Sequence, residues 1–235
     1  MTWLALSPAS YRAESRRAMA QQIVAECSAN LLWFTLLFSS VSLVLIRIVI
    51  VTASSYGVSQ YALEMVVRVL VLELIPLGVT VFAALRSSIP GAAALSDIGI
   101  AGQAARWRDT GIATIRAEFL SRTVAYMFAV VMLACASCLL AIVFAYLSMY
   151  GLTPWAVDPY TRVVGQVFSP VVTTIFVAKT LTLGIAVSWI PLAPVFYGAT
   201  RLSGRLKTAA QLTGLVRLFF VMLVIEVISL VGNYS

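Results

Sequence analysis

Residues 61–86 read YALEMVVRVLVLELIPLGVTVFAALR. A helix that crosses a bilayer needs about 20 predominantly apolar residues, and this stretch supplies them. Glu64 and Arg68 stand near its start, Glu73 and Pro76 in its middle, and Arg86 at its end. A proline has no N–H, so Pro76 frees a backbone carbonyl and can kink the helix. An acidic residue in the middle of such a run is the feature that needs explaining, because a charge there costs about 2.5–3.5 kcal/mol on the insertion scale.

Further apolar runs flank this one, at 29–53, 119–148, 165–196 and 209–232. In the full 235 residues, 61% are apolar and 11% charged, and the mean hydropathy is +0.99. Soluble domains have about 45–50% apolar and 25% charged residues, so a soluble fold and a disordered chain are both excluded. The expected fold is all-α: a polytopic integral membrane protein with an N-terminal interfacial amphipathic helix and five transmembrane helices. One domain, 1–235, accounts for the length.

Residues 9–28, SYRAESRRAMAQQIVAECSA, carry Arg12, Glu14, Arg16, Arg17 and Glu26. They are too polar to span, and their spacing predicts a helix lying in the interface. The apolar run that follows is longer than the core of a secretory signal. Arg47, within 29–53, snorkels to headgroups from near the end of its span. Residues 151–160, GLTPWAVDPY, read as a turn-rich loop whose Trp155 and Tyr160 suit the interface. Pro170, Pro191 and Pro194 predict a bent fourth span.

Hydrophobicity falls over 87–117, where a short cytoplasmic helix is expected at 94–110 with Gly111 as its stop. Gln103, Arg106, Trp107, Arg108 and Asp109 cluster there within two turns. An exposed Trp107 among arginines suits docking into the groove of a cytosolic subunit.

Charge sets the orientation. The N-terminus and the 87–117 and 198–208 loops, with their flanks, hold Arg12, Arg16, Arg17, Arg86, Arg106, Arg108, Arg116, Arg122, Arg201, Arg205, Lys207 and Arg217. The other side holds Arg162, with Arg47 and Arg68 at span ends. The positive-inside rule then places the N-terminus in the cytoplasm and the C-terminus outside. The net charge of +7 follows from these loops. No basic stripe is interleaved with aromatics, so nucleic acid is not an expected partner.

Catalytic chemistry has few candidates. The chain has no histidine, so there is no Ser-His-Asp or Cys-His site. It has no phosphate-cradling glycine loop and no metal-ligand spacing. Cys135-Ala-Ser-Cys138 has CxxC spacing but lies in an apolar run, where it reads as packing. Glu73, Lys179 and Glu226 remain, each deep in a span. Glu73–Lys179 and Lys179–Glu226 are the candidate pairs. They act either as ion pairs that fix helix packing or as the polar wall of a substrate cavity.

The order Tyr56-Gly57, Glu73-Leu74-x-Pro76, Arg86, Gln103, Gly111, Arg116 and Arg122 resembles, without a gap, the MlaE/YrbE family of ABC-transporter permeases. That family has YG after its first span, ELGP in its second, then an arginine, then a coupling segment of the type EQIDALxxMGxxPxR. Ala178-Lys179-Thr180 with Gly184 is similar to its IKS…G, and Arg217 with Glu226 to its TTR and late aspartate. The chain departs from the pattern at Ile75, at LRSSIPG (85–91), at Gly102 and Arg108, and at SGRLKT (203–208), so it resembles a divergent member.

The resemblance implies a bacterial inner-membrane permease that pairs with a second copy. It implies cytosolic ABC ATPase subunits on the coupling helix and a periplasmic MCE-domain protein on the outer face. Phospholipid or another hydrophobic substrate would be moved through a pocket near Glu73, Pro76, Lys179 and Glu226. No cofactor is expected in this chain; ATP and Mg belong to the partner ATPase. The alternatives are an intramembrane lipid-modifying enzyme, using Glu73 or Glu226 as acid or base, and a membrane scaffold.

Overall fold

The computed structural model describes residues 13–58, 61–93, 111–192 and 204–234. Six helices account for nearly all of them: α1 (Ala13–Ser55), α2 (Ala62–Ala93), α3 (Gly111–Tyr150), α4 (Val157–Val167), α5 (Pro170–Trp189) and α6 (Gly204–Tyr234). No strand occurs among the described residues. Five stretches are long and apolar enough to cross a membrane: Ala20–Ser55, Ala62–Ala93, Ser121–Tyr150, Pro170–Trp189 and Leu212–Asn233. The chain is therefore an all-α polytopic membrane protein. Helices serve because each satisfies its own backbone N–H and C=O groups where no water can. Many large apolar side chains, such as Leu32, Val44, Leu139, Phe220 and Ile228, are exposed, as lipid contact requires.

The stretch expected to lie in the interface continues into the first span without a break. Residues 13–55 contain neither glycine nor proline, so nothing in the backbone interrupts α1. α2 is not uniformly α-helical. Val66–Leu74 and Ala84–Ser88 form wide π turns, and the Ile75 N–H reaches back five residues to the Leu70 carbonyl. Such turns are uncommon and concentrate at functional positions.

The 151–169 connection differs from its sequence reading. Residues 154–156 form a 3₁₀ turn and Val157–Val167 a true helix, and the fourth span begins at Pro170. Ser169 caps it, accepting a hydrogen bond from the Val172 N–H at 3.4 Å. Ser at the cap and Pro at the first helical position are the residues a helix start favours. Pro191 lies just past the end at Trp189. These two prolines bound α5 instead of bending it; Pro194 lies outside the described residues. Tyr160 is also turned inward, its side chain buried instead of exposed to the interface.

The chain packs as two units, each taking one segment from every spanning helix. The first is built from the described parts of 1–30, 80–130 and 184–223. Its centre is Tyr126 with Ala92 and Leu192. The Ser88 hydroxyl donates to the Val187 carbonyl at 2.6 Å, and the Ser121 hydroxyl to Gln22 Oε1 at 3.1 Å. Gly91 lets α2 pass close to Tyr126: a Cβ there would sit 1.9 Å from the tyrosine oxygen. The second unit is built from 31–79, 131–183 and 224–235. Phe34 and Phe38 stack with centroids 5.3 Å apart. The Phe38 ring covers Gly78, where a Cβ would fall 2.8 Å from it. Ile46, Leu63, Val66, Val67 and Ile75 are fully buried in the same unit.

Candidate functional site

The charged centre lies inside the second unit. Lys179, on α5, is only 4% exposed. An ammonium group has three protons to donate, and each has an acceptor. One is Glu73 Oε2 on α2. The second is Glu226 Oε1 on α6, at 2.8 Å. The third is the Leu72 carbonyl of α2, at 3.3 Å.

Pro76 lies one turn past the third acceptor. In α-helical register the Leu72 carbonyl would face the N–H of residue 76, and in the π register that precedes it the Val71 carbonyl would; proline has none, so this turn of α2 is short of one donor. A carbonyl left without its donor in a membrane costs several kcal/mol. Lys179 supplies a donor from a neighbouring helix. Pro76, the freed carbonyl and the lysine are thus one local design.

Glu73 has a second partner. Asn233 Nδ2 donates to Glu73 Oε1 at 3.1 Å. Sequence reasoning missed Asn233. The available signal was spacing: Asn233 follows Glu226 by seven residues, close to two helical turns, so both project from one face of α6. Glu226 Oε2 and Asn233 Oδ1 are buried, and neither has a hydrogen-bond partner among the described residues. Two carboxyl groups therefore share one ammonium.

This arrangement can hold three helices in fixed register and present charge inside an apolar bundle. Lys179 is saturated, so it is not a free nucleophile. Among the described residues no group of three His, Cys, Asp or Glu could hold a metal ion. Cys27, Cys135 and Cys138 are free thiols. A second polar feature lies between α1 and α3, where Thr35, Ser39, Ser42 and Ser137 line a cleft. The buried Ser42 and Ser137 hydroxyls have no partner among the described residues.

The coupling residues divide differently. Gln103, Arg106, Trp107, Arg108 and Asp109 lie outside the described residues, as does the expected helix 94–110. Gly111 is described as part of α3; the helix it is expected to stop lies outside the described residues. The chain from Ile112 to Tyr150 has no glycine or proline, so the helix that starts at Gly111 runs on unbroken. Arg47 is exposed, and Arg68 pairs with Glu64 at 3.0 Å on the half-exposed start of α2.

The family model described as Permease MlaE matches residues 19–231, nearly the whole chain. The chain belongs to the MlaE permease family. No curated protein matches it. Membership covers every spanning helix, including the three that carry Glu73, Lys179 and Glu226. Membership in a permease family points to a transport subunit rather than an enzyme.

Proposed function

We propose that this chain is the membrane-spanning subunit of an ABC transporter that moves phospholipid or another hydrophobic substrate. It works in the bacterial inner membrane, with its N-terminus in the cytoplasm and its C-terminus in the periplasm. Two copies pair. Separate cytosolic ATPase subunits bind residues 103–111, and a periplasmic MCE-domain protein receives or supplies the cargo. ATP and Mg are held by the ATPase.

The observation that carries this reading is the buried Lys179 between Glu73 and Glu226, in a five-span chain of a permease family. Ion groups at such depth are costly, and they normally mark a pathway or a packing device. Here they join α2, α5 and α6. The α2 partner lies beside a proline and a run of π turns, where a helix deforms most readily. Closure of the ATPase subunits pulls on the 103–111 segment, which lies between α2 and α3 in the chain. The helices then shift between two packed arrangements, and the cargo is admitted in one and released in the other.

The test is co-purification followed by lipid mass spectrometry. The full chain should retain an ATPase subunit and a lipid. Replacing residues 103–109 should remove the ATPase and leave the chain folded. Isolation of a folded chain with neither ATPase nor MCE partner would overturn the proposal.

A further inference from the structure

The connection from α3 to α5 doubles back along α3 instead of leading away from it. Gly151 turns the chain at φ +65°, a conformation that glycine adopts without strain. The Tyr146 hydroxyl then donates to the Thr153 carbonyl, which holds Thr153 beside a residue one turn inside α3. Further on, the Tyr160 hydroxyl of α4 donates to the Ile142 carbonyl at 2.6 Å. Ile142 lies eight residues before Tyr150, about 12 Å along the helix. Tyr146, Tyr150 and Tyr160 close the joint as a ring cluster, with centroids 5.1 to 6.3 Å apart. α4 also packs on the first turns of α2, Ala62–Met65 and Val66–Leu74. The segment is thus fixed at the depth of the span ends.

Its outward surface is apolar where it begins and polar where it continues. Leu152 is 89% exposed, Trp155 is 91% exposed, and Val157 is exposed too. After them, α4 buries Tyr160 and Val167 and shows Asp158, Thr161, Arg162 and Gln166. On α3, Leu139, Val143 and Leu147 form an exposed apolar row, four residues apart, over the last turns before Gly151.

We propose that Leu152, Trp155 and Val157 form an elbow that inserts into the phospholipid interface, in the leaflet that meets the Tyr150 end of α3. Three observations favour lipid as the occupant. The elbow is held beside α3 within its last turns. The same last turns of α3 expose the aliphatic side chains Leu139, Val143 and Leu147, of the kind that faces acyl chains. And Trp combines an apolar ring with one N–H donor, which suits the boundary between acyl chains and headgroups. The polar face of α4 follows at the level of the headgroups, where Asp158 and Arg162 meet water and phosphate. The elbow anchors the second unit at a set depth, independently of the charged centre.

The test uses the full chain in phosphatidylcholine vesicles carrying a nitroxide on the headgroup, on acyl carbon 5 or on acyl carbon 12. Tryptophan quenching is compared between the natural chain and Trp155→Phe, so that the difference reports Trp155 alone and the other tryptophans stay in place. The expected difference signal is quenched most by the headgroup and carbon-5 labels, least by carbon 12, and weakly by aqueous iodide. In Tyr160→Phe, which loses the bond to Ile142, part of the carbon-5 quenching should pass to the headgroup label. Dominant iodide quenching would place Trp155 in water and overturn the proposal. Protection from iodide and from all three lipid labels would mean a protein surface, such as a second copy of this chain, covers it, and would overturn it equally.

Discussion

Replacing Lys179 by methionine removes the one positive charge from a site with two carboxyl groups and a freed carbonyl. Methionine has a similar length and apolar character, so the packing loss is small. The loss is electrostatic. Glu73 and Glu226 lose their shared partner, and breaking a buried ion pair from one side costs about 3–5 kcal/mol. The Leu72 carbonyl also loses its donor, and an unsatisfied buried acceptor costs about 1–3 kcal/mol. These losses share one group and do not add in full. A total near or above about 3 kcal/mol is expected, a shift of more than a hundredfold in the unfolding equilibrium, since about 1.4 kcal/mol is tenfold. The assay is reversible unfolding in mixed micelles with a rising fraction of sodium dodecyl sulfate, followed by helical circular dichroism. The decisive companion is the triple variant K179M/E73Q/E226Q, which removes all three charges together. It should recover most of the lost stability, because a fully neutralised cluster leaves no stranded ion. A K179M protein within about 0.5 kcal/mol of the natural chain, the scatter of ordinary surface changes, would refute the reasoning. So would a triple variant no better than K179M.

Pro76→Ala restores an N–H opposite the Leu72 carbonyl, so in that background K179M should cost about 1 kcal/mol less than in the natural chain, the worth of one hydrogen bond; the same micelle titration reads this as a double-mutant cycle. Gly91→Ala places a Cβ against the buried Tyr126 hydroxyl and should destabilise by about 1–3 kcal/mol through overpacking, with partial recovery in G91A/Y126F by thermal denaturation in detergent. Ser137→Ala removes a buried hydroxyl that has no partner among the described residues, so it should be neutral or slightly stabilising; a loss of more than about 1 kcal/mol would show the hydroxyl to be bonded. Burial, and then the neighbouring Tyr150, push the Tyr160 hydroxyl from its ordinary value of 10.0 up to about 12. The folded state therefore keeps a proton that the unfolded chain gives up, and the stability it contributes below pH 10 is lost as pH rises toward 12. A pH series of melting temperatures should show this alkaline decline, reduced in Tyr160→Phe.

The spans and the charged centre were legible because an ionised group in an apolar run has few places to go. Glu73, Lys179 and Glu226 stand out at once, and three charges of mixed sign in three neighbouring spans nearly dictate their pairing. Asn233 did not stand out, since a neutral amide close to the end of a helix costs little and attracts no notice. The α4 helix was hidden by Gly151, Pro154, Pro159 and Gly165, which read as turns. Yet Val157, Tyr160, Val164 and Val167 recur at helical spacing, and Pro159 falls in the first turn, where a missing N–H does no harm. The π turns of α2 have no compositional signature. One set runs up to Ile75, next to Pro76, and the other lies beyond it at Ala84–Ser88, and nothing in residue type marks either.

The full occupation of Lys179 bears on what could approach it. An anionic headgroup cannot simply add to this lysine; it must first evict Glu73, Glu226 or the Leu72 oxygen, and the loser is then left stranded in an apolar surround. A visitor rich in donors, such as an amine or a polyol, would need no such exchange once the packing opened, because the buried Glu226 Oε2 and Asn233 Oδ1 have no hydrogen-bond partner among the described residues.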